Sequence, residues 1–517
     1  MPAKADYKNS PILYPLVAMD SYDLISYPAM PLPRSHPNHL AALARLLGFS
    51  PAAPQRCRIL ELGCANGGNL IPMAVGLPEA TLVGIERSRS QAEQGQKIIA
   101  SLGLTNCQIL HQDLLDYAGE EGSFDYILAH GLYSWVPAPV RQRIMELCGK
   151  LLAPNGLALI SFNCLPGWHV KGMLREMVLE HCRHITDPMQ RLSLAQDFLG
   201  DYLAALEESE ALLARHLVVE IRRLLTNHPA YLYHEYLEEE NQPLLFRTFA
   251  QQAAQAGLAP LCDADAAYWF PQSMGEKGQT WLESLQHPLE QQQTLDFLLL
   301  RQFRETVLCR RQMDIPRQLQ LSALEELSIF ASLRPPAKLL LNNSNSQFFF
   351  NHSGGKTAIS HPLTRAALTL LWEFTPRAMP WPHLCQQASA LVQRAGNLRK
   401  AEEWDHMAGE MMSLFLQGEV GLTLQGDQPI PAMAPCPQAT PLAAAFAREG
   451  WLPTLRHAPL TLDANTTALF TLLDGQRNQE ELVQALAENK DQQRKVRPWL
   501  EEQLTNWHRF GVLQGLF

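Results

Sequence analysis

The chain has no CxxC pair and no His/Cys cluster at metal-ligand spacing, although it carries ten cysteines. That excludes a zinc ribbon or a redox dithiol, makes buried free thiols the expectation, and gives no reason to expect a metal. Positive charge is also short. The 42 Lys and Arg stand against 52 Asp and Glu, a net charge of −10, so a nucleic-acid partner is not expected, because phosphate contacts need clustered cations. No apolar run approaches the length of a membrane span, and Met1–Ser10 lacks the apolar stretch of a secretion signal. A cytoplasmic protein without membrane insertion is expected. The sequence carries no internal repeat, and its 517 residues, 46% of them hydrophobic, predict two to four domains with ample cores.

Against those absences, residues 58–68 stand out: Arg-Ile-Leu-Glu61-Leu-Gly63-Cys-Ala65-Asn-Gly67-Gly68. A short apolar strand ends in an acid and then a glycine-rich turn, where missing Cβ atoms let a ligand approach the backbone. Glu61 selects the ligand. A pyrophosphate would be repelled by a carboxylate facing the turn, whereas the sulfonium and ammonium of S-adenosylmethionine (AdoMet) suit it. Ala65 departs from the usual glycine at the middle of this turn. A helix over Asn69–Leu77 and a strand Thr81–Ile85 follow, ending at Glu86 and Arg87. Glu86 lies about 20 residues past the glycines, where Rossmann-type folds place a ribose-binding acid. A third strand, Cys107–His111, leads to Gln112, Asp113 and Leu114, with Asp113 suited to an adenine amino group. A fourth, Phe124–Leu128, opens into the loop His130-Gly-Leu-Tyr133-Ser-Trp135, and a fifth, Gly156–Ser161, follows the turn Ala153-Pro154-Asn155.

The αβ alternation over residues 57–162 implies a parallel sheet, within a cofactor-binding domain expected over residues 57–170. Residues 1–56 form a proline-rich N-terminal segment and a helix over Leu40–Leu47. Residues 171–335 show apolar residues at helical spacing and are expected to be a helical middle region with regulatory or dimerisation roles. Residues 336–517 are expected to form a smaller mixed α/β domain. Within it, Leu339–Phe350 reads as two short strands around an Asn/Ser turn, and Asp474-Gly-Gln-Arg477 as a turn before a helix over Glu480–Ala487.

Two further segments, Asn163-Cys-Leu-Pro166-Gly167-Trp168 and Tyr231-Leu-Tyr233-His234-Glu235-Tyr236, join His36-Pro37 and Tyr133-Ser-Trp135 in a recognisable set. With them the chain resembles, over essentially its whole length, the bacterial methyltransferases that carry a methyltransferase regulatory domain. Characterised members include rickettsial protein lysine methyltransferases that act on outer membrane proteins. The resemblance implies a Rossmann-like class I methyltransferase sheet, AdoMet as cofactor, a helical middle region, a C-terminal domain and a homodimer.

An acceptor lysine must be neutral and held about 3 Å from the methyl group, and desolvation among aromatic rings lowers its pKa. Tyr133, Asn163 and Trp168 are the expected acceptor-site residues, with His130 as a candidate base. The cofactor residues expected are Glu61, Gly63, Ala65, Gly67, Asn69, Glu86, Arg87, Gln112, Asp113, Leu114 and His130. The activity expected is methyl transfer to a protein side-chain amine, lysine first. The alternatives are methylation of a small molecule and a non-catalytic AdoMet-binding regulatory protein. No Pro-Pro-Trp/Tyr motif for base or glutamine amides is present, since Asn163-Cys-Leu-Pro166 has a different spacing.

Overall fold

The computed structural model describes residues 21–270, 274–312, 318–351, 353–397, 403–427, 432–487 and 489–515. They form two compact units. The larger, Pro28–Arg87, Ala92–Met173 and Glu238–Phe517, is built on a seven-stranded sheet. Its strands are β1 (Arg58–Leu62), β2 (Thr81–Glu86), β3 (Cys107–His111), β4 (Phe124–Ala129), β5 (Leu152–Asn163), β6 (Leu258–Asp263) and β7 (Phe303–Arg310), in the order β3-β2-β1-β4-β5-β7-β6. The first five run parallel; β7 is antiparallel to β5, and β6 to β7.

Strands buried on both faces read as continuous apolar runs, as Ile59, Leu60 and Leu62 do in β1. Each face of the sheet carries its own core. Ile59, Leu82, Leu128 and Leu159 pack with Met73 and Leu77 on one side, and Leu60, Ile85, Ile127 and Ile160 with Ile144 and Phe249 on the other. Strand order reverses between β1 and β4, and ligands of such sheets bind outside the strand C-termini at that switch point.

Two expectations are corrected here. The middle region is not wholly helical, because β6 and β7 lie within it and complete the sheet. Pro260 obscured β6 and is tolerated because β6 is an edge strand. Arg304 and Glu305 obscured β7; both are buried and each has a charged partner. A boundary at residue 170 also cuts the helix Trp168–His181. The Ala153-Pro154-Asn155 turn is absorbed into one long β5, where the register against β4 shifts between Phe124 and Tyr126.

The same unit continues with β8 (Ser328–Ala331), β9 (Gln347–Phe350), β10 (Lys356–Ile359), β11 (Met379–Pro380), β12 (Val420–Thr423), β13 (Trp451–Pro453) and β14 (Pro459–Thr461). β11, β8 and β12 form a small sheet, and β9/β10 and β13/β14 are antiparallel pairs. Only the second strand expected in Leu339–Phe350 forms, and it pairs with β10. Side chains satisfy the backbone before it: Arg365 donates to the carbonyls of Asn343 and Asn345, and Gln347 bonds the backbone of Lys338 and Leu340.

The smaller unit comprises residues up to Tyr27, Ser88–Gln91 and Leu174–Leu237. Helices Pro188–Glu207 and Leu212–Thr226 share a core of Leu192, Ala195, Leu199, Leu217 and Ile221. The tyrosine-rich segment serves this packing. His234 stacks on Tyr22 at 4.3 Å with Nε2 2.6 Å from the Ile25 carbonyl, and the Tyr236 hydroxyl donates to Glu220.

Candidate active site

The turn after β1 is shaped by backbone conformations that favour glycine: Gly63 and Gly67 sit at φ +71° and +78°. Ala65 adopts φ +50° without being glycine, so it keeps the local conformation at a cost of about 1 kcal/mol. Its N–H donates to Glu86 Oε2 at 2.8 Å, so the ends of β1 and β2 are tied across the switch point. Gly68 matters for another reason: a Cβ there would lie 2.2 Å from the Ala29 carbonyl oxygen, so the N-terminal segment crosses directly over the turn. Cys64 is buried beneath it and burial pushes its thiol well up, which fits a small apolar residue.

Glu61 is the decisive group. It is almost fully buried, and one carboxylate oxygen accepts from Asn69 Nδ2 at 2.7 Å while the other has no hydrogen-bond partner. Desolvation pushes its pKa up to about 7, opposed by the Asn69 hydrogen bond and assisted by Glu86. A buried carboxylate oxygen without a donor is costly, and a cation is what it lacks. The α-ammonium of AdoMet supplies one, so the residues present fit that cofactor. Gln112 and Asp113 follow β3, with the Gln112 N–H on the Glu86 carbonyl and Asp113 accepting from the Leu115 N–H. Leu114 is buried beside them and Arg87 is exposed.

At the other side of the switch point, His130 leaves β4 with Nε2 3.2 Å from Glu305 Oε1 on β7, and its ring meets Phe303 edge-on. Glu305 also accepts from Arg34 at 2.7 Å; although burial opposes it, hydrogen bonding and charge from His130, together with Arg34, hold its carboxyl low. A cavity of about 320 Å³ opens here, with Arg34, Tyr268, Arg301, Phe303 and Glu305 in its lining. Asn163 ends β5; its N–H donates to Ser134 Oγ, its carbonyl accepts from Leu244, and its buried side-chain nitrogen has no partner. Trp168 is buried edge-on against Trp135, with Lys171 over its ring.

Tyr133 is a correction. It was expected to face the acceptor, yet it is buried in the core, edge-on against Phe249, with its hydroxyl donating to Gln252 at 2.8 Å. The 3-10 turn Tyr133–Trp135 puts the ring into the sheet–helix layer, where a large apolar side chain is most stable. Sequence reasoning missed Arg34, Phe303, Glu305 and His457, whose Nε2 lies 2.8 Å from Asn69 Oδ1. Phe303, Glu305 and His457 lie far along the chain from the glycine-rich turn, and Arg34 precedes it in the proline-rich segment; Glu305, an acid within an apolar strand, carried the one available signal.

Three family models match the chain: a methyltransferase domain over residues 59–156, a predicted methyltransferase regulatory domain over 228–310, and a PKMT C-terminal winged helix domain over 436–505. An uncharacterized protein of Rickettsia prowazekii is 30% identical over 474 residues, covering 90% of this chain and 85% of its own. The chain belongs to the AdoMet-dependent methyltransferases that carry a regulatory domain and a C-terminal winged helix. A second R. prowazekii relative of this methyltransferase, also uncharacterized, is 35% identical over 45% of the chain and 93% of its own length. The fold is that of PKMT2 of Rickettsia typhi, solved in complex with AdoHcy, at a TM-score of 0.83 and 24% identity over 94% of this methyltransferase and 99% of that protein. The regulatory-domain match spans β6 and β7, so this domain completes the catalytic sheet and brings Phe303 and Glu305 to His130. Among the described residues, no helix is long and apolar enough to cross a membrane.

Proposed function

We propose that this methyltransferase transfers the methyl group of AdoMet to the side-chain nitrogen of a lysine on a protein acceptor. Bound AdoMet supplies an electrophilic methyl on a sulfonium; the protein has to hold it, strip water from the acceptor and manage one proton. Glu61 holds the ammonium, Glu86 the ribose hydroxyls and Asp113 the adenine amino group, with Gly63, Ala65, Gly67, Asn69, Gln112 and Leu114 shaping the turn around them. Arg87, exposed after β2, stands at the rim.

The observation that carries the lysine reading is the cavity of mixed charge beside His130, where Glu305 joins His130 to Arg34 and Phe303 supplies an aromatic wall. Phe303 offers a ring to an alkyl stem; the two acids there, Glu305 and Asp265, are both paired with Arg34, and Arg301 lies over the Tyr268 ring. His130, oriented by Glu305, takes the proton that the amine must lose, and the Asn163 carboxamide orients the neutral nitrogen. Trp168 and Trp135 wall off water. Alignment then contributes most of the acceleration.

Support for a homodimer comes from helix Leu212–Thr226, where Leu212 and Val219, seven residues apart and so on one face, are 84% and 66% exposed. The ten free cysteines accord with a reducing cytoplasm. Incubating the enzyme with tritiated AdoMet and a cell lysate tests the reading. Label in proteins that hydrolyses to methyl-lysine supports it; label in small molecules, or none, overturns it. Light scattering that gives a mass near 58 kDa would remove the dimer.

A further inference from the structure

His457 sits in the loop between β13 and β14, within the winged-helix match, 388 residues from Asn69 in sequence. Three observations separate it from an ordinary core histidine. It is a non-glycine residue held at φ +54°, a conformation that costs about 1 kcal/mol and that glycine would adopt freely. It is buried, with its Nε2 2.8 Å from Asn69 Oδ1 and its ring edge-on to His36 at 5.1 Å. The loop around it is firmly fixed: its N–H bonds the Thr454 carbonyl, Thr454 Oγ1 donates to the Ala458 carbonyl, and the preceding Arg456 pairs with Asp427.

Asn69 is the link to the cofactor turn. Its Nδ2 donates to Glu61, so its Oδ1 is an acceptor, and three groups meet it: the Leu32 N–H at 2.9 Å, the Ser35 hydroxyl at 3.2 Å and His457 Nε2 at 2.8 Å. Nε2 of His457 therefore carries the proton. A flipped Asn69 would set its nitrogen against the Leu32 and His457 N–H groups and its oxygen against a carboxylate, so these N–H donors lock one orientation of the amide, with the Ser35 hydroxyl able to turn to suit it.

We propose that the β13–β14 hairpin is part of the cofactor site and that His457 is a positioning residue. It fixes the Asn69 carboxamide, which holds Glu61 by one oxygen and leaves the other for the cofactor's ammonium. The inference rests on the AdoMet reading of the Glu61 turn. It assigns the C-terminal domain a role in cofactor affinity in addition to any acceptor binding.

The test is calorimetric titration of the full-length protein with AdoHcy, with thermal melts of each variant. H457A should bind at least about tenfold more weakly, equivalent to ~1.4 kcal/mol. H457Q, whose amide nitrogen can stand where Nε2 stands, should stay within about threefold of the parent, and H457N, one bond shorter, should behave like alanine. Because His457 acts through Asn69, adding H457A to N69A should cost nothing further. In turnover assays the H457A effect should appear in KM for AdoMet and leave kcat at saturation near the parent's.

Parent-like affinity in H457A, equal losses in the Gln and Asn variants, or full additivity with N69A each overturns the proposal. If H457A does not fold, the Gln/Asn pair decides alone. A parent that does not bind AdoHcy brings down the cofactor reading together with this one, whereas a binding parent with an indifferent His457 brings down this one only.

Discussion

Cofactor affinity should rise with pH through neutrality, because Glu61 must be ionised to receive an ammonium. With its pKa pushed up to about 7, some 9% of the group is ionised near pH 6 and about three-quarters near pH 7.5. AdoHcy should then bind roughly eightfold more tightly at the higher pH, a difference of ~1.2 kcal/mol. The stability of the ligand-free protein moves the other way. The folded state retains a proton that the unfolded chain releases between about 4.5 and about 7, so stability falls as pH rises through that window, by up to about 3 kcal/mol. The thermal shift produced by AdoHcy should accordingly be larger near pH 7.5 than near pH 6. His36 and His457 do not confuse the profile: burial pushes the first down to about 3 and the second well below its ordinary value, so both stay neutral. Calorimetry across pH on the parent and on E61Q checks the reasoning. A flat parent profile, or an E61Q profile as steep as the parent's, would show that Glu61 does not govern binding.

Four further outcomes are expected. A65G should leave cofactor binding intact and change stability by about 1 kcal/mol or less, with relief of the positive φ offset by glycine's chain entropy; a loss beyond 2 kcal/mol in a thermal melt would contradict the strain argument. Y133F should destabilise by about 1 kcal/mol through the lost bond to Gln252, with turnover per folded molecule unchanged, and a selective fall in kcat would return Tyr133 to the acceptor site. N163A should lower turnover at least about tenfold with near-normal AdoHcy affinity, and an unaltered rate would remove it from acceptor positioning. G68A should abolish AdoHcy binding or soluble expression, since the added methyl meets the Ala29 carbonyl; wild-type behaviour would mean that the N-terminal segment does not cross the turn.

What could be read from the sequence was local. Glu61, Glu86 and Asp113 each close a strand whose apolar run ends at a polar turn, so a window of a few residues suffices. Glu305 meets His130 from β7 and His457 meets Asn69 from the loop after β13, and no spacing rule connects them to a turn at residue 63. β7 was further disguised because Arg304 and Glu305 look like solvent-facing charges until Asp296 and Arg34 are seen beside them. Tyr133 failed for a related reason. Its loop follows a strand C-terminus, where sheets of this kind bind ligands, but a tyrosine there can turn either way, and the decision is made by Phe249 and Gln252 more than a hundred residues later.

The antiparallel pairing of β5 with β7 also sets a timetable for synthesis. β5 leaves the ribosome with one edge paired to β4 and the other bare, and its second neighbour is encoded roughly 140 residues later, an interval of about 7–28 s at ordinary elongation rates. During that interval the nascent sheet presents an open, largely apolar edge of the kind that recruits foreign strands. The helices encoded between β5 and β6 emerge first and can collapse on themselves. The half-made sheet therefore has to wait while those helices are made, and expression yield should respond to chaperone supply and translation speed in the stretch between Asn163 and Phe303 more than anywhere else in the chain.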